Sequence, residues 1–109
     1  GILLDMIGDK DLSVPKEEIS GQKAGDIQTR FYKNAELRGL GKAFPNYSQG
    51  AVYDDHLALN DGGIPTIDLI DFTYDAWHTL RDTDDKCSAQ SLQTVGTAVE
   101  TFIRAEKSK

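Results

Sequence analysis

Two histidines and a set of interrupting carboxylates carry the chemistry legible in this sequence. His78 stands in Trp77-His78-Thr79 ahead of Asp82-Thr83-Asp84, His56 closes Asp54-Asp55-His56, and Asp5 breaks an apolar opening, Ile2-Leu3-Leu4-Asp5-Met6-Ile7-Gly8. Neutral imidazole and carboxylate are the ligands that a catalytic Zn²⁺ takes alongside water, with one position kept open. Such a zinc normally has three protein ligands, so these blocks read as half of a site whose remaining ligands come from elsewhere.

The elements that must position these residues are those of an α/β domain. Ile2 to Ile7 is a near-continuous apolar run closed by Gly8, and Ile64 to Ile70 is a second, with Pro65 tolerable near its start. Both read as strands buried on both faces, the pattern of a parallel sheet. Asp5 therefore falls near the carboxyl end of a strand, where open α/β sheets place ligands and where a carboxylate is costly unless paired or metal-bound. Asp9 to Glu18, with Pro15, reads as a turn or short edge segment without chemistry.

Ala24, Ile27, Phe31 and Ala35 recur at helical spacing and predict a helix from about Lys23 to Arg38, capped by Ser20 and ended by Gly39. Leu40 to Val52 reads as an irregular loop. Asp54 or Asp55 can cap a short helix through Asn60. Asp71 to Asp85 is an acid-rich loop that holds His78. Leu92, Val95, Val99, Phe102 and Ile103 predict a last helix over Ser88 to Lys107, with Ser88 as cap and Arg104 and Lys107 in the final turns, where cations suit the helix dipole.

Composition excludes several classes. The chain has 109 residues, enough for one core, and its net charge of −6 with no basic stripe argues against a nucleic-acid partner. No apolar run is long enough to span a bilayer. The single cysteine, Cys87, excludes an internal disulfide and reads as a small packed residue near a helix start. Only two strands are supplied, although each asks for neighbours on both sides. The expectation is the C-terminal part of a three-layer α/β/α sandwich with a mostly parallel sheet, residues 1–109 forming the C-terminal half of one catalytic domain and the missing N-terminal half being its partner.

The order Leu-Leu-Asp-Met-Ile-Gly, then Asp-Asp-His with a Gly-Ile-Pro strand start, then Trp-His-Thr with Asp-Thr, resembles the C-terminal half of the family-28 zinc metallopeptidases. That family includes bacterial aminopeptidases and glutaminyl cyclases, and the resemblance runs from Ile2 to Ile103. It implies one or two zinc ions, a peptide substrate, and aminopeptidase-type hydrolysis at a peptide N-terminus. By that resemblance Asp5 and His78 are metal ligands and Asp54 is catalytic. In single-zinc cyclases the Asp5 position instead joins a carboxylate network with the Asp54 position.

His56 anchors its loop with Asp55 and Asp54 orienting it, and Trp77 walls the substrate pocket. The family's upstream His, bridging Asp and Glu-Glu pair have no counterpart in the chain, so this segment alone is expected to be inactive. Asp54 and Trp77 occupy their places as in the cyclases, whereas Met6 and the Ile67 to Phe72 stretch suit bacterial members classed as peptidases. Peptidase is the leading reading, cyclase the second, and a non-catalytic remnant the third. Compartment is left open; a signal peptide upstream would make the protein secreted or periplasmic.

Overall fold

The computed structural model describes residues 1–72 and 83–106. Trp77, His78, Asp82 and Lys107 lie outside the described residues. Strand β1, Ile2–Asp5, pairs in parallel with β2, Ile67–Ile70, in the register Ile2↔Ile67, Leu3↔Asp68, Leu4↔Leu69 and Asp5↔Ile70. The α/β reading with a parallel sheet therefore holds, but both strands are shorter than expected.

β1 stops at Asp5 because Met6 turns into the left-handed region at φ 53°, a conformation that non-glycine residues seldom adopt. β2 starts only at Ile67 because the preceding backbone is engaged elsewhere. Thr66 donates its amide N–H to the Asn60 side chain, whose Nδ2 donates back to the Thr66 carbonyl. Burial also differs between the strands. All four residues of β2 are buried, whereas β1 is only half-buried and Leu4 is 42% exposed. The reading of both strands as covered on both faces is thus corrected for β1.

Helices α1 (Glu18–Lys23), α2 (Gly25–Leu37) and α3 (His56–Asp61) lie in the crossover between the strands, and α4 (Ala89–Glu106) follows β2. α1 was not expected. Ala24, at φ −141° and ψ 43°, breaks the chain between α1 and α2, so Ser20 sits inside α1 rather than capping the longer helix. The buried face of α2 includes Phe31, Tyr32 and Ala35, and Gly39 follows its end at φ 78°, as the sequence predicts.

The core centres on Phe31. Its ring meets those of Tyr32, Phe44 and Phe102 edge-to-face at 5.6, 5.3 and 5.4 Å between centroids, a favoured geometry for aromatic pairs. α4 turns Val95, Ala98 and Phe102 inward, while Leu92 and Ile103 remain about half exposed, so its apolar stripe is narrower than predicted. Ser88 does cap that helix, its hydroxyl oxygen accepting from Ser91 N–H at 3.3 Å. Cys87 is exposed rather than packed. No helix among the described residues is long and apolar enough to cross a membrane.

Candidate metal centre

Three carboxyls meet near the sheet, brought there by different elements. Asp5 is the last residue of β1, Asp68 is the second residue of β2, and Asp54 precedes α3 by two positions. The Asp54 carboxyl interacts with those of both Asp5 and Asp68. Its Oδ1 also accepts from the Asp55 N–H at 2.8 Å. The expectation that Asp5 and Asp54 face one site, although 49 positions apart, is met by this geometry.

Carboxylates in contact cannot all be ionised without a cation. Burial, reinforced by the bond to Asp54 and by its charge, pushes Asp68 up to about 8. Burial, the bond to Asp54 and its charge also raise Asp5. Burial would raise Asp54 too, but the Asp55 N–H and the bonds from Asp68 and Asp5 outweigh it and hold Asp54 low. Asp54 is thus the anionic member, accepting protons in hydrogen bonds from carboxyls on both sides. This assignment also accounts for Asp54 Oδ2 and one Asp68 oxygen, which are buried with no N–H or hydroxyl partner among the described residues and share the proton held between the carboxyls.

Behind this cluster lies a second layer. His56 is fully buried, with Nε2 2.8 Å from Glu17 Oε1 and Nδ1 3.5 Å from Asp68 Oδ2. Asp55 is exposed at the N-terminus of α3 and its side chain makes no cap bond there. The ring itself is flanked by Glu17 and Asp68 rather than by Asp55, while the charge of Asp54 is felt at His56. Asn60 Nδ2 donates to the His56 carbonyl at 2.9 Å, which secures α3 against the residues leading into β2.

Glu17, Ser20 and Asp68 are the members of this cluster that sequence reasoning missed. Asp68 carried a usable signal, since it interrupts Ile67-Asp68-Leu69-Ile70 as Asp5 interrupts its own run. Glu17 carried none, as one of several acids in a polar stretch.

A hard cation fits part of this arrangement. Asp5 is a partly exposed oxygen donor at a strand end, and the cluster beside it is rich in carboxylate oxygen. No group of three or more His, Cys, Asp or Glu converges into a cage among the described residues. The described residues thus suit one edge of a metal site rather than a whole one.

The family model of Peptidase family M28 matches residues 1–103. A leucine aminopeptidase precursor from Bacteroides thetaiotaomicron superposes with a TM-score of 0.93 at 38% identity, covering 98% of this chain and 38% of that one. A Bacteroides thetaiotaomicron glutaminyl cyclase bound to N-acetylhistamine gives 0.92 at 37% identity, covering 98% and 39%. A Zn-dependent exopeptidase from Parabacteroides distasonis gives 0.86 at 35% identity, covering 94% and 38%. The chain spans about two fifths of the length of these neighbours.

Proposed function

The chain belongs to peptidase family M28, and on that premise we propose that it supplies one side of the metal site of a zinc-dependent aminopeptidase. The observation that carries the reading is the meeting of Asp5, Asp54 and Asp68 near the carboxyl end of β1, where an α/β sheet places its ligand. Asp5 and His78 are the residues that would hold zinc, and the remaining ligands and the general base belong to a part of the domain outside this chain. Zinc, when bound, supplies Lewis acidity toward the substrate carbonyl.

Asp54 is the group of this chain suited to the substrate's free α-amino end. It is the low-pKa member of the cluster, so it stays ionised and can pair with an α-ammonium. Asp68 supports that state by donating its own proton toward Asp54. Trp77 serves as a wall of the substrate pocket. These 109 residues alone would lack turnover, and zinc-dependent hydrolysis would be a property of the longer polypeptide.

One observation favours glutaminyl cyclisation as a second reading. The Asp5 carboxyl interacts with that of Asp54, the arrangement expected where a single zinc leaves Asp5 free to share a proton with its neighbour. Metal counting on the full-length polypeptide, paired with assays on an aminoacyl chromogenic substrate and on a peptide with N-terminal Gln, separates the two. Two metals with hydrolysis support the aminopeptidase, and one zinc with pyroglutamate formation supports the cyclase. Absence of both activities in a zinc-loaded, folded protein defeats both readings.

A further inference from the structure

Glu17 is a fully buried carboxylate. Its two oxygens receive five donors. Oε1 accepts from Ser20 N–H at 2.8 Å, from the Ser20 hydroxyl at 2.7 Å and from His56 Nε2 at 2.8 Å. Oε2 accepts from Ile19 N–H at 2.7 Å and from Val52 N–H at 3.0 Å. An ionised carboxylate only accepts, so the His56 ring must carry its proton on Nε2.

The bonds to Ile19 and Ser20 make Glu17 the N-terminal cap of α1, but a cap needs only one or two of the five. The other contacts reach across the fold. Val52 and His56 stand two residues before and two residues after Asp54, so Glu17 grips the segment carrying Asp54 from both sides. The Ser20 hydroxyl, while donating to Glu17, accepts from Asp68 N–H at 2.8 Å and so ties β2 to the same point. Glu17 is therefore joined through Val52 and His56 to Asp54, and through Ser20 to Asp68.

We propose that Glu17 is a positioning residue of the site, the buried anchor that holds residues 52–56 so that Asp54 meets Asp5 and Asp68. It does not touch substrate or metal. The inference rests on the proposed reading of Asp54 as a working group, and it adds a residue that this reading does not require. Neighbouring backbone bonds do not replace it. Lys16 N–H to the Tyr47 carbonyl, Gln49 N–H to the Lys16 carbonyl and Glu18 N–H to the Gly50 carbonyl hold residues 47–50; Asn60 Nδ2 holds the His56 carbonyl, and the Glu17 side chain is what ties Val52 and the His56 ring to one point.

Glu17→Gln is the discriminating change, because all five partners donate. An amide puts its own N–H₂ against either Ile19 and Val52 or Ser20 and His56. In the full-length, zinc-loaded polypeptide, kcat should fall between about tenfold and 100-fold, the cost of small misplacement of a working group, with KM changed by less than about twofold. Zinc content should stay at the wild-type level, since Asp5 is placed by β1. Hydrogen exchange at the amides of residues 52–56 should accelerate in both metal-free and loaded protein.

Val95→Ala, which thins the core on α4, is the control for lost stability alone and should leave kcat and the 52–56 amides as they were. Equal kcat losses in the two variants, or unaltered exchange at 52–56 in Glu17→Gln, overturn the proposal. Should Glu17→Gln fail to fold, His56 decides the matter. The amide nitrogen of Gln can take the place of Nε2 and still donate to Glu17, whereas that of Asn is too short. His56→Gln should then retain at least about tenfold more kcat than His56→Asn, and equality of the two overturns the anchor. If folded wild-type protein shows neither zinc nor turnover, the functional reading fails by itself. Exchange at 52–56 then decides Glu17 alone, acceleration upholding its role and no change rejecting it.

Discussion

Asp68→Asn should flatten the dependence of stability on pH near neutrality. Asp68 is 1% exposed and its carboxyl is pushed up to about 8, chiefly by burial and then by Asp54, from an ordinary value of 3.8. Between those two values the native state keeps a proton that the unfolded chain releases. Native protein thus binds more protons, and stability falls as pH rises, by about 1.4 kcal/mol for each pH unit. From about pH 5.5 to about pH 7.5 the loss from this group is on the order of 1–3 kcal/mol, allowing for water penetration around the cluster. Glu17 and Asp54 work in the opposite direction, since their folded values are depressed. Their contribution is present above the unfolded carboxylate range and is lost only below it, outside this window.

Asp5 is raised and adds a slope of the same sign, but it is present in both proteins. Asn cannot ionise, and its amide N–H can still donate toward Asp54. The assay is chemical denaturation of the full-length polypeptide at the two pH values and constant ionic strength. Metal is removed first, because a cation beside Asp5 would invert the local preference for protons. Wild type should lose markedly more stability than Asp68→Asn across the window. Equal slopes would refute the protonated assignment of Asp68, and with it the account of why one of its buried oxygens lacks other donors.

His78→Ala in the full-length polypeptide should remove zinc and turnover together, and metal content unchanged by atomic absorption would remove His78 from the ligand set. Phe31→Ala should cost about 3–5 kcal/mol by denaturant titration, because the ring lies at the centre of the edge-to-face aromatic cluster; a loss below about 1 kcal/mol would mean that the core collapses around the gap. Leu4→Glu should cost at least about 2 kcal/mol in the full-length polypeptide if the half-open face of β1 is covered there by the rest of the domain. A change within about 0.5 kcal/mol, as expected for an open surface, would show that this face stays exposed.

The sequence carried the elements whose signal is local. A 3.6-residue period and a glycine stop sufficed for α2, and an apolar stripe with a serine cap sufficed for α4. The meeting of Asp5 with Asp54 followed from a topological rule, that parallel strands present ligands at their carboxyl ends. His78 and Trp77, the strongest sequence signals, lie outside the described residues and gain nothing from the structure. What stayed hidden depends on contacts distant in the chain. Glu17 meets Val52 and His56 across 35 and 39 positions, and Ser20 meets Asp68 across 48. No periodicity marks such residues, because their side chains answer to one buried point rather than to a face of an element. β1 shows the converse. Its apolar run predicts burial on both faces, and Leu4 is left 42% exposed, so the sequence pattern describes more cover than these residues supply. An apolar strand with a free face is explained most simply by further sheet and helix packed against it in the longer polypeptide.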